Sequence, residues 1–166
     1  MELSREELLA HIQGLSQELE LLRQERDEAR WLERPLKERT RLLNERLKEM
    51  DCAYEAVRLL RGPQSLDAKL AALAARMPAA WQHARFACAR IIVDGREFRS
   101  PDFRESPWKQ TQEVLSGGRP VGGLEVFYAR SLPAADEGPF LKEERVLLAV
   151  LAECVGLMRE GRAGGA

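Results

Sequence analysis

The stretch Arg85-Phe86-Ala87-Cys88-Ala89-Arg90-Ile91-Ile92-Val93-Asp94-Gly95-Arg96-Glu97-Phe98-Arg99-Ser100 decides the fold class. An apolar, β-prone run meets Asp-Gly, the dipeptide that best tolerates the two positive φ angles of a type I′ turn, and then returns. This predicts a β-hairpin. A second hairpin follows, with Trp108 to Leu115 alternating, Ser116-Gly117-Gly118 turning, and Val121 to Tyr128 returning with Leu124, Val126 and Tyr128 on one side. The sheet is therefore mainly antiparallel.

Outward from the hairpins the periodicity becomes helical. Beyond the loop Leu132-Pro133-Ala134-Ala135-Asp136-Glu137-Gly138, Pro139 is suited to a first helical turn, and Glu143 and Glu144 match the positive end of the dipole. Leu147, Leu151, Cys154 and Met158 form one apolar stripe, which Leu148 and Val155 broaden. Such a helix is either simply well buried or covers the sheet on one side and a partner subunit on the other. Residues 161 to 166 are expected to fray as a disordered tail. Before the hairpins, Ser65 is placed to cap a short helix with Leu66, Leu70, Leu73 and Met77 on one face, ended by Pro78. Arg61-Gly62-Pro63 stops the helix before that.

That preceding helix is long. From Leu8 a repeat of four and three runs in one register through Ile12, Leu15, Leu19, Leu22, Arg26, Ala29, Glu33, Leu36, Thr40, Leu43, Leu47, Met50, Tyr54 and Val57. About seven heptads of this kind are how two helices bury a shared seam. The apolar members, Leu8, Ile12, Leu15, Leu19, Leu22, Leu36, Leu43, Leu47, Met50, Tyr54 and Val57, are the expected dimer interface. With Leu8 at d, Glu18 and Arg23, Glu25 and Arg30, and Arg46 and Asp51 are g-to-e′ pairs of opposite sign, which favours a parallel homodimer. Each exposed pair contributes only a few tenths of a kcal/mol. The alternatives are a long solvated helix or two helices folded on each other. Arg26, Glu33 and Thr40 at a positions weaken the middle, and Pro35 costs roughly 3 kcal/mol inside a helix, so a kink or break is expected there.

Composition excludes several function classes. A balance of 26 bases and 27 acids, net −1 and interspersed, provides no basic face for nucleic acid. The first thirty residues or so lack the 7 to 15 residue apolar core of a signal peptide, and no apolar run approaches 20 residues. A cytoplasmic chain without membrane attachment is expected. Cys52, Cys88 and Cys154 are scattered and odd in number, in keeping with a reducing compartment and small buried hydrophobes. His11 falls at a g position followed by Ile12-Gln13 rather than by an acidic residue that would accept a proton, and no Gly-rich nucleotide motif lies downstream. Kinase activity is not expected, nor is any other enzyme activity.

The order of elements predicts an α+β fold, an antiparallel sheet with flanking helices, preceded by a long N-terminal coiled-coil helix. The coiled coil is assigned to residues 1–48 and the globular domain to 49–160. Within the latter, Met77-Pro78-Ala79-Ala80-Trp81-Gln82, Cys88-Ala89-Arg90-Ile91, Phe103, Trp108-Lys109-Gln110, Gly123-Leu124-Glu125-Val126-Phe127-Tyr128 and Glu137-Gly138-Pro139-Phe140-Leu141-Lys142-Glu143-Glu144-Arg145 follow in order. This string resembles a GAF-like sensory domain of bacterial signal-transduction proteins, many of them histidine kinases with PAS and GAF modules.

The resemblance implies a six-stranded sheet flanked by the helix ending near Leu60 and the helix beginning near Phe140, which in such domains usually pack together and across a dimer axis. It implies a non-catalytic input or relay module in a two-component system, with a signalling partner such as a histidine kinase. It brings no catalytic residue, metal or cofactor. The dispersed Asn-Lys-Phe-Asp-Glu signature of cyclic-nucleotide-binding relatives has no counterpart here, and Cys88 with His83, five residues apart, is a poor bilin site. Trp81, His83, Cys88, Trp108, Gln110 and Gln112 remain as candidate ligand-binding residues, combining apolar surface with amide donors. They serve equally well to anchor loops over the sheet. A constitutive dimeric scaffold that binds a protein and no small ligand is the competing expectation.

Overall fold

In a computed structural model of the chain, which describes residues 5–163, the first element is a helix, α1, Arg5–Arg61. The residues form two compact units, one up to Leu43 and one from Asn44 onward. The first contains helix alone. Its heptad residues, Leu8, Ile12, Leu15, Leu19, Leu22, Leu36 and Leu43, are all exposed, as is Trp31 on the f side. Within a single chain the helix is supported there by local pairs, among them Lys37 Nζ with Glu33 Oε2 at 2.7 Å and Arg41 with Glu38.

The helix does not break at Pro35. A proline in the middle deprives the ladder of one donor, and the neighbouring turns carry on. The Glu33–Lys37 pair spans the proline, and Thr40 Oγ1 returns its hydrogen to the Leu36 carbonyl at 2.8 Å.

The second unit is an α+β domain. Here α1 buries Cys52, Ala56 and Leu59, spaced as one helical face. It ends at Arg61, before Gly62 and Pro63. Helix α2, Leu66–Arg76, starts where Ser65 Oγ accepts the Ala68 N–H at 3.3 Å, and it buries Leu66, Leu70, Leu73 and Ala74. A 3₁₀ turn at Met77–Ala80 carries Pro78 and delivers Trp81 into the core.

Four strands follow: β1 Ala87–Val93, β2 Arg96–Arg99, β3 Lys109–Ser116 and β4 Arg119–Tyr128, in spatial order β2-β1-β4-β3 and antiparallel throughout. Asp94 and Gly95, at φ 50° and 76°, make the first turn, and Gly117 and Gly118, at 57° and 75°, the second. Among the described residues the sheet has four strands where the resemblance implied six. The intervening segments explain the difference. Residues 100–108 contain Pro101 and Pro107, and 129–141 contain Pro133 and Pro139, each lacking the N–H that a ladder needs.

Helix α3, Lys142–Ala163, closes the domain. It begins later than Pro139 suggested, because Glu137 and Phe140 form an isolated antiparallel bridge. The start is set instead by side chains that accept the first free N–H groups. Glu144 Oε2 takes that of Leu141 at 2.8 Å, and Asp136 Oδ2 that of Lys142 at 3.0 Å. The helix extends through Ala163, into the segment 161–166 read as a tail, and residues 164–166 lie outside the described residues.

One face of the sheet, with Ala89, Ile91, Val93, Val114, Leu124, Val126 and Tyr128, meets the helices and forms the core with Leu73, Met77, Trp81, Leu148, Leu151 and Val155. The stripes expected on α3 are buried there. Two glycines permit the closest approaches: a Cβ on Gly156 would lie 2.0 Å from the Leu115 carbonyl oxygen, and one on Gly122 1.8 Å from that of Ile92.

Candidate functional site

The six candidate ligand-binding residues do not converge. Register decides this: Cys88 pairs with Phe127 and Phe127 with Lys109, whereas Ala89 pairs with Val126 and Val126 with Gln110. Side chains alternate along a strand, so Cys88 and Gln110 stand on opposite faces of the sheet. Cys88 Sγ donates to the Arg104 carbonyl at 3.2 Å, under the loop whose Phe103 packs edge-to-face on Phe127. Gln110 faces the helices and donates to Glu137 Oε2 at 3.0 Å. Gln112 is half-buried and reaches only the adjacent Glu113 carbonyl. Trp108 is exposed beside the start of β3, and its carbonyl accepts the Tyr128 N–H.

Trp81 and His83 do share a neighbourhood. Trp81 is wholly buried, and His83 meets the Tyr128 ring edge-on, with centroids 5.6 Å apart. Between them Gln82 donates its backbone N–H to Glu144 Oε1 at 2.7 Å, and the Tyr128 hydroxyl donates to the same oxygen at 3.2 Å. Burial raises the Glu144 carboxyl above the usual range, opposed by these two donors and by the Leu141 N–H. Burial likewise pushes the Tyr128 phenol up, with the Glu144 charge adding to it. The arrangement ties the loop before β1 to the first turn of α3. Sequence reading assigned Glu144 only to the helix dipole, because its burial depends on a loop some sixty residues earlier.

The three cysteines are free and buried. Desolvation raises the Cys52 thiol to about 12, so it remains a thiol at physiological pH. Among the described residues no group of three or more His, Cys, Asp or Glu side chains is placed to hold a metal ion, and no helix is long and apolar enough to cross a membrane.

An exposed apolar surface lies on the helices of the second unit. In the second unit the face of α1 opposite Cys52, Ala56 and Leu59 presents Leu47, Met50, Tyr54 and Val57, with Met50 67 % and Tyr54 68 % exposed. These are the heptad a and d residues. Beside them α3 exposes Val146, Val150 and Leu157, a second stripe at helical spacing. Between α1 and α3 runs an open groove of about 510 Å³ floored by Met50, Ala53, Val146 and Val150. Its rim carries Arg46, Glu49, Lys142 and Glu143, two charges of each sign.

The α1 side of this surface is legible in the heptad repeat. Its α3 side was not, since Val146, Val150 and Leu157 are separated from the buried stripe only by rotation about the helix. Comparison with protein-family models, with curated proteins and with solved structures found no match.

Proposed function

We propose that the chain is a non-catalytic, GAF-like regulatory module that works as a parallel dimer, with α1 and α3 as the paired helices that carry its signal. One observation carries the reading. In the second unit α1 holds the core with one face and leaves its heptad face, Leu47, Met50, Tyr54 and Val57, in solvent. A soluble monomer gains nothing from an ordered row of exposed large apolar side chains, whereas a second copy buries it. The groove beside the row extends the same apolar surface from Met50 and Ala53 on α1 to Val146 and Val150 on α3. Paired helices of this kind transmit small rotations or shifts between modules.

A second reading, a constitutive dimeric scaffold without a small ligand, is favoured by the fate of the candidate ligand-binding residues. Trp81, Cys88 and Gln110 are buried, and Cys88 and Gln110 engage other parts of the chain. Light scattering on the chain and a thermal-shift screen with cyclic nucleotides and small metabolites separate the readings. A dimer whose melting temperature rises with a ligand supports the sensory module. A dimer that no ligand moves supports the scaffold, and a monomer defeats both.

A further inference from the structure

We propose that Arg46 is an exchange point that couples the seating of α3 to the strength of the dimer seam, by choosing between Glu143 of its own chain and Asp51 of the partner subunit. The inference rests on the parallel dimer proposed above. Arg46 occupies a g position of the heptads and Asp51 the following e position, so in a parallel pair each faces the other across the axis.

Within one chain both charges are already engaged. Arg46 Nη1 donates to Glu49 at 2.9 Å on its own helix, and Nη2 to Glu143 at 3.1 Å in the first turn of α3. Asp51 accepts from Arg76 Nη2 at 3.4 Å, in the last turn of α2. Thus the two members of one seam crossing are each tied to a different helix of the domain. Glu49 lies one turn along α1 and stays beside Arg46 in either state. A two-oxygen grip by the partner's Asp51 needs the Nη2 side of the guanidinium, which Glu143 holds.

The coupling is reciprocal. When the partner takes Arg46, the first turn of α3 loses its tie to α1, and when α3 draws Glu143 close, the seam loses one crossing. Arg46 is 55 % exposed, which suits a pair that exchanges rather than one that locks. Isolated exposed pairs of this kind shift an equilibrium by roughly two- to fivefold.

Glu143→Gln keeps the side-chain shape and removes the competing charge. By dilution of a fluorescently labelled chain at low salt, it is expected to lower the dimer dissociation constant by about two- to fivefold. Combined with Asp51→Asn, the same substitution is expected to change nothing. A dimer whose dissociation constant is unmoved or raised by Glu143→Gln overturns the exchange, as does an equal change in the Asp51→Asn background. A chain that stays monomeric at every concentration overturns the dimer itself, so the two failures are distinguishable.

Discussion

Glu144 shows how one buried carboxylate organises a junction. Only 1 % of its surface is exposed, and it accepts from the N–H groups of Gln82 and Leu141 and from the Tyr128 hydroxyl. Each buried donor left without an acceptor costs about 1–3 kcal/mol, less where water reaches it, so Glu144→Ala is expected to lose about 2–4 kcal/mol of unfolding free energy in urea. Glu144→Gln keeps one acceptor oxygen and loses that of Leu141, a smaller cost. Its diagnostic value is in pH. The folded carboxyl is raised by burial, so the stability it contributes is complete below the ordinary glutamate range and is lost as pH rises through the raised value. The Gln variant cannot titrate and should gain on wild type as pH climbs from about 4 to about 7. Glu137, held low first by Arg145 and then by Gln110, has the opposite dependence but is common to both proteins and cancels. A stability difference flat across that range would show that Glu144 titrates normally.

At the scale of elements, Gly156 sets two effects against each other. It lies inside α3, where alanine is intrinsically favoured by about 1 kcal/mol. Yet a methyl group there would lie 2.0 Å from the Leu115 carbonyl oxygen at the end of β3, which is backbone and gives little. Forced displacement of packed elements costs about 1–3 kcal/mol or more, so Gly156→Ala is expected to lower the melting temperature despite the better helix former, as calorimetry would show. A rise would mean that α3 and β3 separate freely. Nothing in the sequence betrays this contact, because it depends on how α3 crosses the sheet. The hairpins were legible for the contrary reason: Asp94-Gly95 and Gly117-Gly118 specify their turns locally. The start of α3 lay between these cases. Pro139 suits a first turn, but the Glu137–Phe140 bridge and the caps from Asp136 and Glu144 prevail. The candidate ligand residues scattered for a non-local reason too, since whether Cys88 and Gln110 share a face depends on the register that each of their strands takes with β4.

For the whole molecule, α1 in the second unit has one buried and one exposed face, which in the proposed dimer would separate folding from association. Cys52, Ala56 and Leu59 are in the core, whereas Met50 and Tyr54 contribute little to it. A charge at Met50 and Tyr54 meets water in a single chain and costs that chain little. Across a parallel seam, the same charges stand opposite their own copies, desolvated and of like sign. The double substitution Met50→Glu and Tyr54→Glu is therefore expected to shift the chain to monomer in light scattering. Its circular dichroism below the transition should keep the strand signal, and its unfolding should become independent of concentration. Ala56→Asp, two residues from Tyr54 but fully buried, should instead abolish cooperative unfolding, because an unpaired charge enters the core. This contrast is the sharper test, for it asks one helix to behave as two surfaces. If the Met50 and Tyr54 variant remains dimeric with unchanged affinity, α1 in this unit does not form the seam. Association would then have to run through the α3 stripe of Val146, Val150 and Leu157 alone or through the heptads before Leu43.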